Sequence, residues 1–148
     1  ELDRTLSGFE LSGEDIGRLL FPVCANCNIH ALGYLLGKGD ISNASELILH
    51  TLTFRKIKND AEQRQVTVID RLFEYVPEAD IRETVNKAFV NAVWFGEYEA
   101  VKYLAEQKGA DLSYESNGRS VFDLSENAVK RFDDSRVKEY LFERAGLN

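Results

Sequence analysis

The sequence predicts an all-α fold, a helical-repeat solenoid of about four helix pairs with one short β-hairpin. Three observations carry this. Leu35, Leu72, Leu104 and Leu141 are copies of one landmark near the ends of four apolar helical segments, and they fall 37, 32 and 37 residues apart. Self-similarity at such a period marks a repeat array. Apolar residues within the segments recur at i, i+3, i+4 and i+7, the spacing of a helix with one buried face. Only one linker, Asp111 to Gly118, has the length and turn residues of a projecting hairpin, with Asn117-Gly118 favouring positive φ at its tip.

The elements follow in order. Ile16, Leu19, Leu20 and Val23 keep helical spacing behind a Ser12/Asp15 capping box, and Pro22 is expected to end this cap helix and open the first inner helix. Ile29, Leu32, Tyr34, Leu35 and Leu36 form its outer partner, ended by Gly37 and Gly39. Ala44 to Lys56 is buried through Leu47, Ile48, Leu52 and Phe54, and Ala61 to Val76 through Val68, Ile69, Leu72 and Phe73, with Pro77 as the stop. Ile81 to Phe95 and Tyr98 to Lys108 make the third pair, Ser120 to Phe132 and Ser135 to Ala145 the fourth. The chain is one domain, 1–148, with a cap (1–20) and repeats at 21–41, 43–77, 81–112 and 118–146. The extra residues of the last 37-residue spacing require a longer inner helix or a turn at Asp133-Asp134.

In the third unit, Ala92-Val93-Trp94-Phe95-Gly96 runs into Glu99-Ala100-Val101-Lys102-Tyr103-Leu104 and Lys108-Gly109-Ala110-Asp111-Leu112. Gly118-Arg119-Ser120-Val121-Phe122-Asp123 follows, and Val121-Phe122 lie 33 residues after Ala88-Phe89. This pattern resembles the ankyrin repeat: a small pair before a Gly turn, an outer helix of the E-V-V-x-x-L-L type, G-A-D-V, then G-x-T-P-L-H. The resemblance is clear over residues 82–146 and degenerate before them. The alternative is a less regular helical-pair solenoid or bundle.

A chain of 148 residues with 44% aliphatic and aromatic content can bury a continuous core without metal or disulfide help. No apolar run approaches the roughly 18 residues that span a bilayer, and no targeting signal precedes the first helix. The net charge of −7, spread along the chain, repels phosphate backbones and anionic lipid, so neither nucleic acid nor membrane is the expected partner. It favours a protein with a basic or neutral patch. Arg55, Lys56 and Lys58 form a local exception, read as a solvated helix end ahead of an anion site. The absence of Met, even at position 1, suggests a processed chain or an excised fragment.

Cys24-Ala-Asn-Cys27-Asn-Ile-His30 is the one cluster with ligand chemistry. A zinc site needs two compact ligand pairs, and His50 stands alone in a helix. A redox site needs a thiol at a helix N-terminus, whereas these fall at the end of one. Buried, reduced thiols in a cytoplasmic setting are therefore expected, with a metal or redox module as the rival reading. Nucleophile-base and phosphate-loop motifs are absent from the sequence, so no catalysis and no cofactor are expected. The pairs Asp133-Asp134 and Glu97/Glu99 read as turn residues and solvated helix starts.

An open solenoid offers a concave face of inner helices and hairpin tips. The resemblance puts Trp94 and Phe95 at the variable positions that point toward that face; the competing reading has one of them filling the core. Val90, Asn91 and Tyr98 would flank them, with Tyr114, Glu115, Asn117 and Arg119 at or beside the hairpin. The implied function is a non-catalytic module that binds a partner protein, the rival being a docking segment of a larger enzyme or effector.

Overall fold

Ile16, Leu20 and Cys24, four residues apart, are all buried and form the inward stripe of the first helix, α1 (Gly13–Ala25). The computed structural model describes residues 13–38, 41–52 and 62–146. After α1 come α2 (Ile29–Leu36), α3 (Ala44–Thr51), α4 (Glu62–Phe73), a single 3-10 turn (Glu78–Asp80), α5 (Ile81–Trp94) and α6 (Tyr98–Gln107). Strands β1 (Glu115–Ser116) and β2 (Arg119–Ser120) pair antiparallel, and α7 (Val121–Phe132) and α8 (Arg136–Arg144) complete the described fold. Among the described residues the fold is all-α apart from that hairpin.

The helices form two layers. The odd-numbered helices contact one another in sequence order, the even-numbered helices do the same, and each odd helix packs on the even helix that follows it. Among the described residues the result is a repeat-like arrangement of four helix pairs around a continuous core. All four landmark leucines lie at its centre, each with 0% of its surface exposed.

Three of the four landmark leucines follow a left-handed turn. Cys27, Gly96 and Asp133 take left-handed φ values of 52°, 66° and 52°, and each precedes its landmark leucine by eight residues. The next N–H then reaches back across the helix end: Asn28 to Val23 O at 3.0 Å, Glu97 to Ala92 O at 2.9 Å, Asp134 to Ala128 O at 3.4 Å. This closure absorbs the last free carbonyls of the inner helix. Gly adopts it without steric cost and Asp tolerates it, whereas Cys27, 3% exposed, is held there by the surrounding packing. The second pair departs: eight residues before Leu72 lies Arg64, inside α4. The inner helices do not start in register either, since α5 and α7 begin 40 residues apart.

Pro22 does not divide the first helix. The helix continues through it to Ala25, with the proline ring on the exposed side while the Ile16–Leu20–Cys24 stripe packs inward against α3. The missing N–H falls on the solvent side, so burial of the other face outweighs it. Residues 1–20 and 21–25 are therefore not a separate cap and inner helix where they are described. Ser12, Gly39, Phe54 and the Arg55, Lys56, Lys58 cluster lie outside the described residues, and the predicted helix from Ala44 is described only to Thr51.

Across the outer layer the pairs are tied by a phenol-carboxylate ladder. Tyr103 Oη donates to Asp70 Oδ1 at 2.7 Å and Tyr140 Oη to Glu106 Oε2 at 2.7 Å, each tyrosine standing just before a landmark leucine. Burial, and then the carboxylate partner, hold the Tyr103 phenol well above its ordinary 10.0; the same causes push Tyr140 up to about 12. Folded-state values above the unfolded ones mean that this stability is fully present below pH 10.0 and is lost as the pH rises through the folded values. An alkaline titration of the unfolding midpoint should therefore fall between about pH 10 and 12. Tyr103→Phe, which cannot ionise, should flatten that fall; an unchanged slope would remove the ladder from the account.

Candidate functional site

Glu83, Lys87, Val90 and Trp94 recur at helical spacing along one side of α5. Glu83 and Lys87 are exposed and ion-paired at 2.8 Å. Val90 and Trp94 are half-buried and rest against the core. The Arg119 guanidinium from β2 lies 5.8 Å from the centre of the Trp94 ring. Asn127, on α7, donates its Nδ2 to the Trp94 carbonyl at 2.6 Å. Trp94 is thus neither free nor enclosed: one face meets the core, a cation lies within contact of its ring, and a hydrogen bond from the neighbouring inner helix fixes its backbone.

The hairpin completes this patch. Asn117 and Gly118 have φ values of 52° and 76°, the two left-handed residues of a tight hairpin turn. Ser120 Oγ accepts the Asp123 N–H at 3.1 Å and caps α7, so β2 leads directly into the helix and holds Arg119 beside α5. Glu115, Asn117 and Arg119 are exposed, and Tyr114 is half-buried, close enough for its phenol to act on the Lys87 ammonium. Asn91 and Phe95 form the adjacent half-buried strip of α5.

Tyr98 does not join them. The left-handed turn at Gly96 reverses the chain, so Tyr98 opens α6 in the outer layer, 5.0 Å beneath the Arg136 guanidinium and edge-on to Tyr140 at 6.1 Å. Asn127 was missed by the sequence reading, although it lies 33 residues after Trp94, the spacing that relates Ala88-Phe89 to Val121-Phe122.

No family model, no curated protein and no solved structure matches this chain.

The cysteines are both buried and unpaired. Burial pushes the Cys24 thiol up to about 12, against a smaller opposing effect of its hydrogen bond to Thr51. Cys27 is raised by burial, with Arg64 opposing and Glu97 assisting. Both therefore stay protonated near neutral pH, the form that is a poor nucleophile and a poor ligand. His50 is half-buried with its ring edge-on to Phe21 at 4.9 Å, and His30 is exposed. Among the described residues no three His, Cys, Asp or Glu side chains are grouped to hold a metal ion.

Glu97 overturns its expected place as a solvated helix start. It has 0% exposure, and Oε2 accepts Gln65 Nε2 at 3.1 Å. The turn at Gly96 aims it inward beside Thr51 and Gln65, whereas Glu99 stays at the surface and accepts Gln63 Nε2 at 2.8 Å. Asp134 lies in the expected turn between α7 and α8 and also binds Arg136 through Oδ2 at 2.9 Å, and the same guanidinium reaches buried Glu62 at 3.2 Å. The Glu62–Arg136 pair joins the second and fourth units.

Proposed function

We propose that this chain is an ankyrin-like helical-repeat array acting as a non-catalytic protein-protein interaction module, its partner lying across the inner helices and the hairpin. The observation that carries the reading is the Trp94 arrangement: a half-buried indole, with Arg119 at its ring and Asn127 on its carbonyl, beside Val90 and Asn91. A large aromatic surface held in one orientation is what interface hot spots are made of, because its burial by a partner carries little ordering cost. The recurring left-handed turn and the two ordered helix layers support the repeat reading. Glu115 and Asn117 at the hairpin, with the Glu83–Lys87 pair, supply a polar rim.

The metal or redox alternative is disfavoured by the protonated, enclosed thiols. Unpaired cysteines suit a reducing, cytoplasmic setting. Among the described residues no helix is long and apolar enough to cross a membrane.

Trp94→Ala should weaken capture of the partner by more than about 1 kcal/mol. The test is a lysate pull-down with wild-type and Trp94→Ala/Phe95→Ala protein of matched helical circular dichroism. A protein retained only by the wild type supports this face as the site. Equal retention, or a variant that loses its thermal transition, assigns the pair to the core instead.

A further inference from the structure

On the other side of α5 from Trp94, a groove of about 420 Å³ runs between the first two turns of that helix and the end of α6. Ile81, Val85, Arg82 and Asn86 line it from α5, Lys108 and Gly109 from the end of α6, and Glu78 from the 3-10 turn. Its chemistry differs from the rest of this acidic chain, because two cations converge on it. Arg82 is exposed, and the nearby Asp111 carboxylate already accepts the Ser113 N–H at 2.9 Å and Oγ–H at 2.6 Å. Lys108 Nζ lies 4.9 Å over the Phe73 ring. Among the described residues neither cation forms an ion pair with a carboxylate. Asn86 is nine-tenths buried, and its Oδ1 accepts the Asp111 N–H at 3.1 Å. That leaves its amide NH2 as the group offered to the groove. Val85, almost fully buried, and half-buried Ile81 provide an apolar floor.

We infer that this groove binds an acidic side chain of an extended peptide segment, with the carboxylate between Arg82 and Lys108 and within reach of the Asn86 amide. The methylene stem lies on Val85 and Ile81. Glu78, at the rim, opposes a second carboxylate there and favours a hydrogen-bond donor or a basic residue, so the occupant has a direction. Two cations at the margin of an apolar groove, with an amide donor already oriented, recognise a carboxylate better than either cation alone would in water. The site is separate from the Trp94 face, and the loss of either leaves the other in place.

The probe is a fluorescein-labelled nonapeptide, acetylated and amidated at its ends, with a single central Asp among neutral residues, followed by anisotropy and by amide chemical-shift mapping. The expected result is saturable binding that shifts Val85, Asn86 and Gly109, weakens with salt, and is lost when Asn replaces Asp in the peptide. Arg82→Gln and Lys108→Gln should each weaken binding by roughly threefold, Arg82→Lys should restore part of it, and Lys130→Gln, an exposed cation on α7, should leave it unchanged. Equal binding of the Asn peptide would assign the groove to apolar ligands and overturn the inference. So would an equal effect of Lys130→Gln, complete displacement by acetate, or no saturable binding of the Asp peptide.

Discussion

Phe89→Ala is expected to lower the unfolding free energy by about 3–5 kcal/mol, because it empties the site of the bulkiest fully buried side chain among the described residues. Phe89 has 0% exposure and heads the fully buried side chains by volume. It lies on α5, which packs against α3, α6 and α7 together, so a cavity there is lined by three helices that cannot all close over it. Phe122, half-buried on α7 and tilted against Phe142 at 5.5 Å, is the comparison, and its truncation should cost clearly less. Urea unfolding of both variants, followed by circular dichroism, checks this through the shift in midpoint at constant slope. A smaller loss at Phe89 than at Phe122 would show that α5 is not the centre of the array. A single lost transition becoming two would show that the first and second halves unfold separately, as weakly coupled repeats do.

Arg136→Ala is expected to cost about 2–3 kcal/mol, and for a reason opposite to the usual view of ion pairs. The Glu62 side chain is only 4% exposed, while that of Arg136 is 36% exposed and partly screened by water. Removing the guanidinium leaves Glu62 enclosed without its bidentate partner, and leaves Asp134 with the backbone N–H of residue 136 but without the two guanidinium hydrogen bonds. The penalty is thus the isolation of a buried carboxylate rather than the loss of an attraction. Glu62→Met combined with Arg136→Met should recover much of the stability, because an apolar pair of similar length removes both charges at once. A double-mutant cycle in urea measures the coupling. A cost for Arg136→Ala no larger than that of an exposed arginine, such as Arg131, would mean that water reaches Glu62 in the folded protein.

Most of the helical boundaries were legible from local chemistry. Pro77, Gly96, the Asn117-Gly118 tip and Ser120 mark element ends through backbone preferences that act over a few residues: α4 and α5 end within four residues of Pro77 and Gly96, and α7 begins directly after Ser120. Pro22 was misread because the signal it gives, a missing N–H, is local, whereas the stripe that keeps α1 intact is satisfied only by α3. Glu97 was misread for the same reason: it follows a left-handed turn, and a turn next to a charge looks solvated until its other neighbours are known. Gln65 had a signal that went unused. It continues the inward face of Val68, Ile69 and Leu72 at i, i+3, i+4 and i+7, so the period alone points its amide at the core.

By itself the sequence determined the all-α class, the landmark leucines and the one hairpin, since helix period, turn residues and apolar spacing are properties of short stretches of chain. The tertiary structure decided which polar groups are enclosed and which cations remain unpaired. Glu97 meets Gln65 from 32 positions away and Arg136 meets Glu62 from 74, while Arg82 and Lys108 converge on one groove from opposite ends of a helix pair. Such meetings depend on how the two layers stack, and layer stacking is set by the sum of the packing rather than by any local run of residues.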